Sequence, residues 1–273
     1  PVAISFAFPG PADYENGIIG DLPNFPSFRG GVALGPFLKH KYGIPVFIEN
    51  DGNLFAYGEA LSGALPMINR ELSLAGCSRE YKNLIGITLG TGFGAGVVIN
   101  KVLLTGDNGC GGDIWLMRNK KYPDMLAEES VSIRAVRRVY SDLSGQSSAS
   151  LSPKDIYDIA EGIKEGDSHA AIASFNELGI MAGAAIASVL NVVDGLVVIG
   201  GGVAGASKYI LPALITELRA QLTTFSGNKF PCVSMQVYNG EDESERARFL
   251  SLSDSQVVIP CLLYTSPRPR DMR

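Results

Sequence analysis

Short apolar runs that stop abruptly at glycines or polar side chains recur along the chain. The clearest are residues 84–89, residues 97–99 and the segment GLVVIGGG at 195–202. Runs of this length, bounded by turn residues, are typical of strands buried in a sheet. Because helical patterns alternate with these runs, the sequence predicts an α/β fold with central buried sheets.

Helical patterns fill the intervals between the apolar runs. A helix is predicted within residues 32–43, where Gly43 supplies the C-cap, and another begins at Ser152 and Pro153. The apolar segment 176–193 is rich in small residues and predicts a buried helix. The remaining predictions are helices at 54–65, 128–143 and 210–222 and a polar connector at 66–83.

The composition limits the class of protein. The 273 residues are 46% hydrophobic and carry a net charge of −5. No uninterrupted apolar segment reaches the length of a membrane span, and no basic block precedes the last few residues, so neither a membrane nor nucleic acid is expected as a partner. The cysteines lack the paired spacing of a zinc site or a disulfide framework, so we expect no zinc and a cytoplasmic location. They are Cys77, Cys110, Cys232 and Cys261.

Both ends of the chain are unusual. The sequence begins at Pro1, without a methionine, directly in a strand-like run, and we expect its true start to lie upstream. Residues 261–273, CLLYTSPRPRDMR, show no usable periodicity and resemble translated adapter or vector sequence. They are therefore predicted to be a non-native tail.

A polar cluster interrupts two apolar segments near residue 50. Glu49, Asn50 and Asp51 follow the run Val46–Ile48 and precede a predicted helix. Asn50 or Asp51 could cap that helix, or Asp51-Gly52 could form a hairpin turn. Carboxylates and amides at the end of a buried strand also suit a polyhydroxylated ligand, and one carboxylate, if sheltered from water, could take a proton from a hydroxyl.

Two glycine-rich turns follow apolar strands. Gly90, Gly92, Gly94 and Gly96 alternate after the first strand, with Thr91 between the first two. Such a segment is either a tight hairpin that needs glycine or a concave backbone site for phosphate.

The second turn, Gly200-x-Gly202-x-x-Gly205, formally matches a dinucleotide fingerprint. The acidic residue that should end a following strand is missing, because Glu217 lies in a predicted helix. NAD is therefore disfavoured. A nucleotide phosphate or adenine resting on these glycines is favoured, and a purely structural turn stays open.

Five of these segments, in order, resemble motifs of the ROK family (repressors, open reading frames and kinases), whose kinases belong to the actin-like ATPase superfamily. The segments are ISFAFPGPAD, PNFPSF, IENDGNLFAYGE, ITLGTGFGAGVVIN and LVVIGGGVA. The resemblance implies a two-lobed, RNase-H-like α/β fold with ATP and sugar in the cleft. Residues 1–60 would be the remainder of an incomplete small lobe, and residues 61–255 the large lobe.

The same resemblance implies an ATP-dependent sugar kinase of the glucokinase type, acting with Mg²⁺ on a hexose, an amino sugar or an N-acetyl sugar. Asp51 matches the catalytic base. The implied sugar ligands are Asn24, Asn50, Asp113 and Glu128, with Glu129 as the competing register for Glu128. The implied ATP-binding residues are Gly90, Thr91, Gly92 and Gly94 on the phosphate side and Gly200, Gly201 and Gly202 on the adenosine side. A homodimer is possible, as in many family members.

The chain departs from the family pattern in three places. Family members commonly have a Gly-Glu-Ile-Gly-His segment, whereas this chain has Gly112-Asp113-Ile114-Trp115 and no cysteine-rich zinc motif after it. Trp115 either stacks on a sugar or packs in the core. The family's first phosphate loop and its closing C-terminal helix are also missing. Inactivity of the fragment by itself is therefore one expectation, and a sugar-sensing transcriptional regulator of the same family is the alternative function.

Overall fold

The structure is a computed structural model that describes residues 1–10, 12–20, 26–251, 256–259 and 262–265. The strands are β1 Ile4–Ala7, β2 Ala12–Asp13, β3 Ile18–Ile19, β4 Val46–Glu49, β5 Leu84–Leu89, β6 Phe93–Ile99, β7 Val102–Leu103, β8 Leu196–Gly200, β9 Gln221–Thr223, β10 Lys229–Pro231, β11 Gln256–Ile259 and β12 Leu262–Thr265. The helices are α1 Leu34–Tyr42, α2 Asp51–Leu61, α3 Ala64–Leu74, α4 Ile133–Ser144, α5 Pro153–Ala160, α6 Ser168–Val193, α7 Ser207–Leu218 and α8 Glu243–Leu250.

The main sheet has four strands in the order β7-β6-β5-β8. Strands β5 and β6 are antiparallel and form the predicted hairpin, whereas β5 and β8 are parallel and pair Thr88 with Gly200. The carboxyl ends of parallel neighbours lie at the same edge of a sheet. The turn after β5 and the turn after β8 are therefore side by side, although 110 residues of sequence separate Gly90 from Gly200.

Helix α2 packs closely against β5 and β6 because glycine occupies the contact positions. A Cβ atom at Gly86 would lie 2.6 Å from the Cα of Ala56, and one at Gly96 would lie 2.6 Å from the Cβ of Ala56. Ala56 and Ala60 form a small buried cluster with residues of the sheet and of α3. This packing positions α2 on the sheet, and the first residue of α2 is Asp51.

Helix α6 is central to the larger core. It is 26 residues long, and the carboxylate of Asp167 caps it by accepting a hydrogen bond from the N–H of Ala170 at 2.9 Å. Gly179 and Gly183 let α7 approach closely, since a Cβ at Gly179 would lie 2.4 Å from the carbonyl oxygen of Ile210. By length and composition α6 could cross a membrane, but 56% of its most apolar window is buried within the fold. Its apolar surface is thus largely used in packing.

A second, parallel pair of strands, β1 and β4, carries the polar cluster. In this pair Ala7 lies opposite Glu49. Ile48 of β4 and Ile19 of β3 are buried in a small hydrophobic cluster. Gly43 ends α1 in the left-handed conformation that the sequence predicts. Strand β4 therefore delivers Glu49 directly to the start of α2.

Several sequence-based boundaries were wrong. Residues 66–83 contain α3 instead of being only a connector, and α2 begins at Asp51, three residues before the predicted helix. Helix α4 begins at Ile133, after a short 3₁₀ turn that contains Glu128 and Glu129. All five residues of β8 are half-buried, because among the described strands β8 pairs only with β5 and lies at the sheet edge.

The proposed lobes and tail stay predictions. Helix α2, which spans the end of the segment assigned to the small lobe, packs on the main sheet of the segment assigned to the large lobe. Within the predicted tail, β12 pairs antiparallel with β11.

Candidate active site

Asn50 connects β4 to α2 as the helix N-cap. Its Oδ1 accepts hydrogen bonds from the N–H groups of Gly52 at 2.9 Å and Asn53 at 3.3 Å. These two bonds satisfy backbone donors that have no partner within the first turn of a helix. The capping interpretation is therefore correct for Asn50, and the hairpin interpretation of Asp51-Gly52 is wrong.

Glu49 and Asn53 support this junction from below. One oxygen of Glu49, Oε1, accepts hydrogen bonds from the Asn50 N–H at 2.8 Å and from Asn53 Nδ2 at 3.1 Å. Asn53 is only 5% exposed, and its Oδ1 has no hydrogen-bond partner among the described residues. The polar residues of this cluster thus have different roles, and two of them hold the strand-to-helix junction in place.

Asp51 is the first residue of α2 and is exposed. Its Oδ1 accepts a hydrogen bond from the N–H of Gly52 at 2.9 Å, and the rest of the carboxylate faces open space. The sequence led us to expect an acid sheltered from water, and the structure without ligand does not show one.

Tyr14 completes the junction, and the sequence analysis missed it. Its hydroxyl donates a hydrogen bond to the carbonyl of Phe8 at 3.0 Å and accepts one from Asn50 Nδ2 at 3.3 Å. Burial raises the pKa of Tyr14, the hydrogen bond from Asn50 opposes this change, and the negative charges of Asp51, Glu49 and Asp113 raise the pKa further. Asp113 is therefore near enough for its charge to act on Tyr14.

The first glycine turn lies close to Asp51. The Cα of Gly52, the residue after Asp51, is 3.9 Å from the position that a Cβ at Gly94 would occupy. A Cβ at Gly92 would lie 2.6 Å from Glu128 Oε2, and one at Gly94 would crowd Thr88 Oγ1, so a side chain at either position would displace a neighbouring side chain.

Two features of the first turn suit an anion. Gly90 has open space beside it. Among the described residues, the N–H groups of Thr91 and Gly92 have no hydrogen-bond acceptor. These features favour the phosphate interpretation.

Glu128, not Glu129, contacts the first glycine turn. Glu128 Oε2 accepts a hydrogen bond from the N–H of Phe93 at 3.0 Å, and Oε1 pairs with Arg134 at 3.2 Å. Glu129 pairs with the same arginine at 3.0 Å, but its side chain is 47% exposed. Glu128 therefore stabilises the turn, and a sugar hydroxyl would have to share its oxygens.

The second glycine turn adjoins the first. Gly201 has a φ of +93°, and a Cβ there would lie 2.4 Å from the carbonyl oxygen of Leu89, the last residue of β5. The ring of Phe55 covers Gly200, whereas Gly202 has open space beside it. Of the two sides of this turn, only the side at Gly202 is therefore open to a ligand such as adenosine.

The dinucleotide interpretation of the second turn fails on the expected acid. Glu217 lies within α7, and its carboxylate pairs with Lys120 at 2.6 Å. It neither ends a strand nor is free to bind a ribose hydroxyl, as that fingerprint requires.

The loop containing Asp113 lies against β6. Gly112 adopts a φ of +92°, and a Cβ there would lie 3.0 Å from the carbonyl oxygen of Ala95. Ile114 is buried, but Trp115 is 37% exposed, so Trp115 is not a core residue.

The remaining predictions concern Asn24, a metal ion and the cysteines. Asn24 lies outside the described residues. Among the described residues, no group of three or more histidine, cysteine, aspartate and glutamate side chains could hold a metal ion. Among the described residues, Cys77, Cys110 and Cys232 form no disulfide, and Cys261 lies outside the described residues.

Comparisons with known proteins agree with this arrangement. A sequence profile of the ROK family matches residues 1–244. A crystal structure of a glucokinase from Parabacteroides distasonis is 59% identical, with a TM-score of 0.86, and the match covers 97% of this chain and 73% of that one. A ROK family glucokinase from Streptomyces griseus, in complex with glucose and AMPPNP, is 25% identical, with a TM-score of 0.53, over 68% of this chain and 62% of that one.

Curated relatives include both kinases and regulators. The glucokinase of Thermotoga maritima is 29% identical over 227 residues, which are 77% of this chain and 67% of the relative. The xylose repressor of Bacillus subtilis is 24% identical over 241 residues, which are 84% of this chain and 56% of the relative. The chain thus spans about half to two thirds of the length of these relatives. Its sequence is similar to those of glucokinase-like sugar kinases. The chain belongs to the ROK family and has the actin-like ATPase fold.

Proposed function

We propose that the whole protein transfers the γ-phosphate of ATP to a sugar hydroxyl, with Asp51 as the general base. The observation that carries the proposal is the placement of Asp51 at the start of α2, where Gly52 packs against β6 directly after the first glycine turn. This placement supports a base and a phosphate site on adjoining parts of one sheet edge.

Asp51 would take the proton from the attacking hydroxyl. As the sugar oxygen forms its bond to the γ-phosphorus, the bond from that phosphorus to the ADP oxygen breaks and ADP leaves. A general base typically contributes about 10²- to 10⁴-fold to the rate, and positioning of the reactants contributes much of the rest. Bound sugar would also have to shield the exposed carboxylate from water.

The two glycine turns adjoin, which supports contact of one nucleotide with both of them. Phosphate oxygens would accept hydrogen bonds from the N–H groups of Thr91 and Gly92, and Gly90 leaves room for them. Adenosine would lie on the open side of Gly202. Mg²⁺, when bound with ATP, would neutralise phosphate charge.

The sugar would lie between Asp51 and the loop after β7. Asn50, Asp113 and Glu128 are the proposed hydroxyl ligands, together with Asn24. The names of the glucokinases from Parabacteroides distasonis and Thermotoga maritima support a hexose of the glucose type as substrate. We place the reaction in the cytoplasm, and a homodimer remains part of the proposal.

Replacement of the base tests this function. In the full-length protein, Asp51→Asn should reduce turnover by at least about 100-fold in a coupled ADP-release assay against a panel of hexoses, because the amide cannot accept the proton. Sugar binding should change only a few-fold. Asp124→Asn, an exposed aspartate in a loop, is the matched control and should retain full activity.

Turnover above about a tenth of wild type in Asp51→Asn would remove Asp51 from the role of base. A wild-type protein that binds a sugar but releases no ADP with any hexose would instead support the regulator, whose family relatives include the xylose repressor.

A further inference from the structure

A closed set of hydrogen bonds joins Tyr14 to the β4–α2 junction. The N–H of Phe8 donates to the carbonyl of Glu49 at 2.9 Å, and the carbonyl of Phe8 accepts from the Tyr14 hydroxyl at 3.0 Å. Asn50 Nδ2 donates to the same hydroxyl at 3.3 Å. The segment after β1 and the segment after β4 are therefore tied together through one phenol.

The donors and acceptors of this set have a fixed direction. Asn50 Oδ1 already accepts from two backbone N–H groups of α2, so Nδ2 must point the other way. Because an amide nitrogen only donates, the Tyr14 oxygen must accept from it, and the Tyr14 proton must go to the Phe8 carbonyl. The amide of Asn50 cannot rotate without breaking several of these bonds. Among the described residues, its second N–H has no acceptor and can donate to a ligand.

The surroundings of Tyr14 preserve this arrangement. Gly10 permits the close approach, since a Cβ there would lie 3.1 Å from the Tyr14 hydroxyl and 3.8 Å from Asn50 Nδ2. The carboxylate of Asp13 holds the next turn by accepting from the N–H and the Nδ2 of Asn16 at 3.1 and 2.8 Å. Tyr14 is itself half-buried. A hydroxyl held in this way positions a neighbour more than it binds solvent.

We propose that Tyr14 is a positioning residue for sugar recognition: its hydroxyl fixes the Asn50 amide so that Asn50 presents an N–H donor to a sugar hydroxyl. The inference rests on the proposed function, in which Asn50 contacts the sugar. Tyr14 acts through Asn50 and is not itself the base. Its removal should therefore weaken sugar binding while the chemical step and ATP binding continue.

Tyr14→Phe tests the inference, because it removes the hydroxyl and keeps the ring. In the full-length protein the KM for the preferred hexose should rise about 3- to 10-fold, as expected for one hydrogen bond, with kcat within about 2-fold and the KM for ATP unchanged. Tyr42→Phe, an exposed tyrosine on α1, is the matched control and should leave all three constants unchanged. Gly10→Ala, which crowds the same hydroxyl, should reproduce the pattern of Tyr14→Phe.

An unchanged sugar KM in both Tyr14→Phe and Gly10→Ala would overturn the inference. A fall in kcat together with a rise in the KM for ATP would also overturn it, because that is the pattern of general misfolding. Calorimetric titration of the same hexose, without ATP, separates this result from the larger proposal. Weaker hexose binding by Tyr14→Phe supports Tyr14 even if the wild type transfers no phosphate, whereas absence of hexose binding by the wild type contradicts both.

Discussion

Glycines of the main sheet control how closely α2 can approach it. At Gly86 and Gly96 the backbone of the sheet comes within contact distance of Ala56, and no side chain other than hydrogen fits. Because α2 carries Asp51 at its first position, these contacts also determine where the proposed base stands. The alternating glycines therefore link packing to the geometry of the site.

Gly86→Ala should destabilise the protein by about 1–3 kcal/mol, because the added methyl meets backbone and not a flexible side chain. Gly58→Ala is a control on α2 itself. Gly58 is exposed and has nothing within 4 Å of its Cβ position, so alanine should stabilise the helix by up to about 1 kcal/mol. Urea unfolding of both variants measures the two effects, and the same sign for both would contradict the packing argument.

Among the helices, α5 shows how local polar contacts define an element. Ser152 Oγ accepts from the N–H of Asp155 at 3.1 Å, and Asp155 Oδ2 accepts from the N–H of Ser152 at 2.7 Å, which is a capping box. Lys164 then donates to Asp155 Oδ1 at 2.6 Å. The bond from Lys164, followed by those from Ser152, holds the pKa of Asp155 well below its usual range.

The lowered pKa of Asp155 predicts the sign of a pH effect. A carboxyl whose pKa is lower in the folded state stabilises that state above its unfolded pKa of about 4, and this stabilisation is lost as the pH falls below that value. Asp155→Asn should therefore lower the melting temperature at pH 7, with a smaller difference from wild type at pH 3. Asp142→Asn, at a more exposed ion pair, should change the melting temperature less at both pH values. An equal difference at pH 7 and pH 3 would argue against a charged contribution from Asp155.

In the whole molecule, parallel pairing of β5 with β8 places the two glycine turns beside each other and opposite the start of α2. One nucleotide would therefore contact residues from distant parts of the sequence. A ligand that binds only the folded state stabilises it, by about 2.7 kcal/mol at a concentration 100 times its dissociation constant.

AMPPNP at saturating concentration should accordingly raise the melting temperature of the full-length protein by roughly 5 °C. NAD at the same concentration should leave the melting temperature unchanged, since Glu217 lies within α7 and its carboxylate is paired with Lys120. Thermal denaturation followed by circular dichroism measures both. A shift with NAD and none with AMPPNP would contradict the proposed nucleotide site.

The sequence predicted those features that depend on local pattern. The apolar runs form β5, β6 and β8. Gly43 is the C-cap of α1, and Ser152 is the N-cap of α5. Helix α3 was missed because only two of its residues, Leu65 and Leu72, are buried, and its polar surface resembles a connector.

Features of the site that depend on tertiary contact were beyond the sequence. Tyr14 meets Asn50 across 36 positions of the chain, and no periodicity marks that contact. Glu128 and Glu129 are adjacent and chemically equivalent, so only the fold shows which of them contacts Phe93.

Trp115 has a practical consequence. It is the single tryptophan of the sequence, and it is partly open to water two residues beyond Asp113. Tryptophan fluorescence, excited at the long-wavelength edge of the absorption band, would therefore come from Trp115 alone, beside the proposed sugar. Occupancy of that place can be followed optically in unlabelled protein, even in variants that have lost all turnover.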